Sequence, residues 1–388
     1  MKKLLYFLLV SLLLVSCEED FDISKLQDKP RLVVYSFPTV GDTTLVMVTR
    51  SVPVASSQGD RYTLSHQPVD AHIIYKVNGV ECPVKRIESV EEAKKLSCIG
   101  GRNEFYQEML GQYYAIGKQQ AGDNISVEVS ADGSPSVSTA TYIPQSVEVG
   151  IDDLSGEETG NHSVSEHINA SFSDDGSSKD YYSVKVKEIR VGGVVVGIEP
   201  DHYRYPDSVY VYSEDAYADI SEKTPGIIWN FDGLYQVSCP VAIDTNKDPV
   251  FKQTTEIDED LGFDDYSYYD LAYIFDDHLF NGKKYTLHLN LVSTVYGNNF
   301  YYVGGWDNMY GYTYSVELYK LTPEYYRFLS TINSAQSNSW AEVGIMQVTP
   351  TYSNVKGGFG VVAGFNTSVA SIHVDPTKKT SGGGIYTY

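Results

Sequence analysis

The sequence predicts an all-β protein of two β-sandwiches: an immunoglobulin-like N-terminal one and a larger C-terminal one, with a single docked helix near residues 322–335. Three observations carry this. Apolar residues alternate with polar ones in run after run of the 388-residue chain, the period of half-buried antiparallel strands. Clusters of Gly, Asn and Asp such as "SADGSPS", "SDDGSSKD" and "YGNN" separate those runs, as turns require. Helical spacing is confined to two short segments.

In chain order, the first element is not part of the fold. Lys2 and Lys3 precede an apolar run from Leu4 to Val15 broken only by Ser11. Spanning a bilayer takes about 20 apolar residues, so this run has the length of a signal-peptide core instead. Leu14-Val15-Ser16-Cys17 resembles the lipobox of bacterial lipoproteins. That resemblance implies a signal peptide over 1–16, removed after Ser16, and acyl chains on Cys17. Acyl chains contribute about 0.8 kcal/mol per buried methylene, so three anchor a domain durably. The acids Glu18, Glu19 and Asp20 resemble the surface-export signal of Bacteroidetes lipoproteins, and 17–29 reads as a polar linker.

The first sandwich is expected over 30–143. It opens with "RLVVYSF", where Val33, Tyr35 and Phe37 share a face, and includes "NISVEVS", with Ile125, Val127 and Val129 opposite polar partners. Val90 to Leu96 reads as a short helix. Pro144 in "ATYIPQSVEV" cannot donate to a ladder, which places the boundary there. The second sandwich is expected over 145–388. Its strands include "KYTLHLNLV", with Tyr285, Leu287, Leu289 and Leu291 opposed to Thr286, His288 and Asn290. They also include "YGYTYSVEL", with Tyr310, Tyr312, Tyr314, Val316 and Leu318 on one side. "LTPEYYRFLSTINSAQ" is the docked helix, with Thr322 as N-cap, Pro323 at the first position and Glu324 in the first turn.

The composition excludes some partners. The formal charge is −22 and becomes −24 once Lys2 and Lys3 leave with the signal. Such a surface repels phosphate backbones, so no nucleic acid is expected, and membrane attachment falls to the lipid. Cys82, Cys98 and Cys239 remain after Cys17, with no zinc-type spacing. The nearest pair, Cys82 and Cys98, is the expected local disulfide, with three free thiols as the alternative.

Taken together, these segments resemble the domain-of-unknown-function 4249 family of Bacteroidetes outer-membrane lipoproteins. The matching stretches are "KPRLVVYSFPTVGDTTLVMVTRSVPV", "ATYIPQSVEVGIDDL", "FDDHLFNGKKYTLHL", "SVELYKLTPEYYRFLSTI" and "SNVKGGFGVVAGFNTS". Residues 195 to 270, rich in Tyr and Asp, depart from it. The resemblance implies an outer-membrane lipoprotein facing the exterior, associated with TonB-dependent, Sus-type nutrient importers and their partner lipoproteins. It carries no catalytic residue with it.

The residues themselves supply no catalytic constellation. There is no G-x-S-x-G elbow, and His162 and His167 are not in an H-E-x-x-H frame. The acids of "EIDEDLGFDD" form a solvated loop, since neighbours in sequence are not two carboxyls placed across a sugar bond. In "DTNKDP", Asp244, Asn246 and Asp248 alternate like the start of an EF-hand, but Pro249 stands where glycine belongs and Thr255 where glutamate belongs. An Asx-stabilised turn is the default there, a single structural calcium the alternative; no other cofactor and no catalytic metal are expected. Tyrosine occurs 33 times and tryptophan 3 times. Most of these rings belong to core and cross-strand pairs. Tyr266, Tyr268, Tyr269 and Trp306 sit among acids and glycines where alternation breaks, and are the candidate binders of a glycan or peptide. The expected function is a non-catalytic ligand-binding or accessory subunit at the cell surface. The alternatives are a structural or adhesive lipoprotein and a glycan- or peptide-cleaving enzyme.

Overall fold

The computed structural model describes residues 30–51, 67–96, 106–107, 109–160, 163–198, 209–210, 227–251, 273–292, 312–336 and 351–374. The N-terminal half runs β1 (Leu32–Ser36), β2 (Gly41–Arg50), β3 (His72–Val77), β4 (Val80–Cys82), β5 (Val84–Arg86), α1 (Val90–Leu96), β6 (Tyr113–Gln119), β7 (Asn124–Ala131) and β8 (Ser134–Tyr142). The C-terminal half continues with β9 (Val149–Gly160), β10 (Ser163–Ser173), β11 (Tyr181–Ile198), β12 (Val209–Tyr210), β13 (Ile227–Ile243), β14 (Tyr273–Asp276) and β15 (Lys284–Val292). It closes with β16 (Tyr312–Leu321), α2 (Pro323–Gln336), β17 (Phe359–Val362) and β18 (Phe365–Val374).

The fold is all-β, with two sandwiches. The first packs a sheet of order β17-β1-β2-β6-β5 against one of order β4-β3-β7-β8. Its core is aliphatic: Leu32, Val34, Val46, Val48, Val127 and Val129 are almost fully buried. Most of the buried polar side chains described here are neutral and hydrogen-bonded; Thr139 Oγ1 and Arg50 Nε are buried without a partner among the described residues. Gln119 accepts from Tyr75 and exchanges hydrogen bonds with Thr44, and the Gln112 side chain accepts from Val48 N at 2.7 Å. Cys82 carries a free thiol. Its Sγ occupies the space above Gly117, where an added Cβ would approach it to 2.7 Å. The thiol therefore points onto β6, and Cys98 lies outside the described residues.

One strand of this first sandwich comes from the far end of the chain. β17 pairs in parallel with β1, with Val33 opposite Phe359 and Tyr35 opposite Val361. Gly360 makes this possible: its φ is +100°, and a Cβ there would stand 2.1 Å from the Val34 carbonyl oxygen. A sheet that begins within 30–143 is thus completed from beyond residue 350.

The second sandwich is one nine-stranded sheet folded over on itself, along the path β18-β16-β11-β13-β15-β10-β9, with β12 and β14 each paired to β11 off that path. The fold falls at the end of β13, which pairs with β11 over most of its length but with β15 only at Ala242 and Ile243. The two edges approach each other where Val149 N donates to Ser368 Oγ at 3.0 Å, leaving an almost closed barrel. Its core sets an aromatic cluster among aliphatic residues, with Phe172, Tyr182, Phe251, Phe275 and Phe280 all at 2 % exposure or less. Phe172 meets Phe280 edge-on at 5.3 Å, and Phe251 meets Phe275 likewise at 5.7 Å, the geometry ring quadrupoles favour.

α2 joins the two sandwiches. Tyr325, Phe328 and Leu329 are buried against Ile274, Leu321, Val361 and Ala363, with Tyr35 and Phe37 packed alongside. Phe37 stacks on Tyr325 at 4.7 Å and Tyr35 meets Phe328 at 5.8 Å. The face of β1 carrying Tyr35 and Phe37 thus points to the helix, while Leu32 and Val34 fill the sandwich. Each buried side chain of this size contributes roughly 1.5–3 kcal/mol. Pro323 opens the helix as expected. The hydroxyl of Thr322, expected to cap it, is instead buried with no hydrogen-bond partner, and the Thr322 N–H donates to Gly364 O at 3.0 Å.

Candidate functional site

The outer face of β9, β10 and β15 is polar across all three strands. Alternation creates it. In β10, Ile168, Ala170 and Phe172 turn into the core, leaving His167, Asn169 and Ser171 outside. In β15, Leu287, Leu289 and Leu291 turn inward, leaving Thr286, His288 and Asn290. β9 adds an irregularity, because the register shifts so that Asn169 opposes Asp153 and Ala170 opposes Ile151. This bulge places the consecutive Asp152 and Asp153 on the same outer face, which strict alternation forbids.

The side chains form a hydrogen-bonded ladder across the three strands. The Ser171 hydroxyl donates to Asp152 and pairs with Thr286 Oγ1 at 2.8 Å. A hydroxyl has one hydrogen, so Thr286 is the donor in that second bond. Asn169 Nδ2 donates to Asp153 at 2.7 Å, and Asn169 Oδ1 lies 2.7 Å from His288 Nδ1. His167 Nδ1 pairs with Asn290 Oδ1. With the amide oxygens as acceptors, Nδ1 is the donor in both rings. Ser171 is therefore bonded to a carboxylate and not to an imidazole, which is not the arrangement that activates a serine nucleophile.

At one end of the ladder is an open cleft of about 350 Å³, walled by Glu148, Asp152, Ser171, Ser173 and Lys284. Gly150 also lines it, and a Cβ there would meet nothing within 4 Å. The cleft offers two carboxylates and one ammonium around a small space, suited to hydrogen bonding with a polar, multiply hydroxylated or amide-bearing ligand.

The loops beside this face carry buried charge. Asp174 accepts from Tyr182 OH at 2.5 Å and from Gly282 N at 2.8 Å. Asp180 accepts from Lys320 Nζ at 2.5 Å and from Ser178 Oγ at 3.0 Å. Asp277 accepts from Asp180 N and from Asn281 Nδ2. Burial, with the nearby charges of Asp174, Asp180 and Asp276, holds the Asp277 carboxyl above its ordinary range. Asp276 is displaced downward: burial opposes the shift, but hydrogen bonds from Lys179 and His278 outweigh it. Burial and the bond to Asp174 push the Tyr182 phenol up. These carboxylates are occupied by N–H and O–H donors, so they brace the turns that follow β10 and β14.

The expected Asx turn is present at "DTNKDP". Asp244 Oδ1 accepts from Asn246 N, and Asp248 Oδ1 accepts from Val250 N. Asp248 is fully buried, and it also accepts from Tyr285 OH at 2.7 Å and His288 N at 2.8 Å. It ties its loop to β15. Among the described residues no three His, Cys, Asp or Glu side chains converge as metal ligands. Cys17, Tyr266, Tyr268, Tyr269 and Trp306 lie outside the described residues. Missing from the sequence reading were Asp152, Asp153, Asn169 and Ser171. The alternation in "HINAS" and "TLHLN" carried half of that signal, and the bulge in "GIDDL" hid the rest.

An all-β chain of two sandwiches joined through a helix, with a polar outer sheet face, is the class of protein these features define. The chain belongs to the DUF4249 family, described as a domain of unknown function, whose model matches residues 18–371. No curated protein and no solved structure matches it. Among the described residues no helix is long and apolar enough to cross a membrane, which says nothing of membrane-crossing strands.

Proposed function

We propose that this protein is a lipid-anchored lipoprotein of the outer membrane, facing the exterior. In this reading it serves a TonB-dependent, Sus-type importer of glycan or peptide as a non-catalytic ligand-binding or accessory subunit. The observation that carries it is "LLLVSCEED": an apolar run too short to span, a cysteine after a small residue, then three acids. Membership of a family whose model begins one residue after that cysteine supports the same assignment. The described serine and histidines of the polar face are engaged in structural hydrogen bonds, which supports binding over catalysis.

The test has two arms. Cys17→Ser is expected to move the protein from the membrane to the soluble fraction, and protease added to intact wild-type cells is expected to degrade it. Affinity capture from solubilised outer membranes is expected to recover a TonB-dependent transporter. Capture of the protein alone, or protection from external protease, would overturn the reading.

A further inference from the structure

A second surface gathers three tyrosines that the fold does not hydrogen-bond. β8 ends at Tyr142, β11 begins at Tyr181, and α2 carries Tyr326 near its start. Gly364 lets the turn before β18 cross the end of β8, where a Cβ would stand 1.9 Å from the Tyr142 carbonyl oxygen. The Gly364 carbonyl in turn accepts from Thr322 N at 3.0 Å, setting the start of α2. The Tyr181 and Tyr326 rings lie 4.6 Å apart with 36° between their planes. Lys179 Nζ sits 5.4 Å from the Tyr181 ring centroid and pairs with Asp276 at 2.8 Å. Tyr142 is 41 % exposed and within electrostatic reach of Tyr181 and Glu324.

Lys179 is paired with Asp276, but the remaining polar side-chain atoms of the group are unused. Among the described residues, neither the three phenol hydroxyls nor the Glu324 carboxylate has a hydrogen-bond partner, and none of these atoms is closed off from solvent. Half-buried rings with accessible, unsatisfied hydroxyls suit a ligand that is apolar on one face and hydroxylated at its rim. A pyranose has that shape: its C–H face stacks on an aromatic ring while its hydroxyls donate to a carboxylate and accept from phenols and an ammonium. A stable protein interface needs roughly 800 Å² per partner. Three rings of roughly 150–250 Å² each, already partly covered, fall well short of that. We propose that Tyr142, Tyr181 and Tyr326, with Glu324 and Lys179 at the rim, form a carbohydrate platform that stacks a pyranose ring. This rests on the ligand-binding reading above and gives that ligand its chemical class.

Calorimetric titration of the full chain with cellohexaose, maltohexaose, xylohexaose and mannohexaose tests it. At least one sugar is expected to bind. Tyr326→Ala is expected to weaken that binding by about tenfold. Tyr142→Phe and Glu324→Gln, which keep the packing and remove only polar atoms, are expected to weaken it by about threefold each. Glu81→Gln on β4, at the opposite edge of its sheet from β8, is expected to leave it unchanged. The platform is overturned if none of the four sugars binds at millimolar concentration, or if the two conservative variants bind as the wild type does. Loss of sugar binding in Asp152→Asn, in the cleft of the outer sheet face, but not at the tyrosines overturns it too, as does loss of transporter capture without loss of sugar binding in the platform variants. Sugar binding without transporter capture would instead sink only the accessory-subunit reading.

Discussion

Among the described residues, the buried polar side chains of the N-terminal sandwich are all amides and hydroxyls; the C-terminal sandwich adds carboxylates and a lysine to such groups. Gln119, Thr44 and Tyr75 satisfy one another, and Gln112 accepts from Val48 N, without formal charge inside the core. Asp174, Asp180, Asp248, Asp277 and Lys320 are all at 9 % exposure or less around an aromatic cluster. The difference teaches where each unit is vulnerable. A neutral network loses a bond or two when broken, at any pH. A buried charge network loses far more when one partner is removed, and its worth depends on protonation.

Removing the seam between the two units should have the largest effect. Phe328→Ala empties a 1 % exposed site that touches both sandwiches and is expected to cost about 4 kcal/mol. In urea denaturation it should uncouple fluorescence signals that otherwise change together; coincident transitions in the variant would contradict the joining role of α2. Lys320→Met comes next, stranding Asp180, whose Oδ2 accepts from Lys320 at 2.5 Å. A loss of about 3 kcal/mol is expected at neutral pH. A loss below about 1 kcal/mol would mean that this pair contributes no more than an exposed one.

The matching change in the N-terminal sandwich should be milder. Gln119→Leu leaves Thr44 and Tyr75 without their shared partner and is expected to cost about 1–2 kcal/mol, equally at every pH from mild acid to neutral. A pH-dependent loss there would erase the contrast between the two units.

The smallest change is a gain. Asp277 has a raised carboxyl pKa, so its contribution favours folding fully in acid and is lost as pH rises through that raised value. Asp277→Asn keeps an oxygen for Asp180 N and Asn281 Nδ2 while removing the charge. It should raise the neutral-pH Tm by about 2 °C, and the gain should vanish below the ordinary carboxylate range. Asp276 works in the opposite sense: its lowered pKa stabilises above the ordinary carboxylate value and is lost as pH falls. A lower neutral-pH Tm for Asp277→Asn would mean that the charge is needed as an acceptor.

Local pattern made much of this legible. The period-two runs at "NISVEVS" and "KYTLHLNLV" became β7 and β15 with the expected residues inward, because burying one face leaves a strand a single register. "TPEYYRFLSTI" became α2 because Pro, an early acid and helical apolar spacing agree. Less legible were contacts that depend on distant partners. β17 lies far along the chain from β1, and Gly358 and Gly360 mark the close approach. The Asp152–Asp153 bulge needs β10 beside it to be defined, and nothing in "GIDDL" alone demands it.

What the sequence determined by itself was the class of fold, the helix, the turn at "DTNKDP" and the family. Each of these rests on interactions between residues close along the chain, whose spacing is visible in one dimension. Only the tertiary structure decided that β17 completes the first sandwich and that α2 joins the two. It likewise decided that Asp248 holds β15, and that Tyr142, Tyr181 and Tyr326 share one surface. Those features come from burial and close approach between segments far apart in the chain, which sequence spacing does not encode.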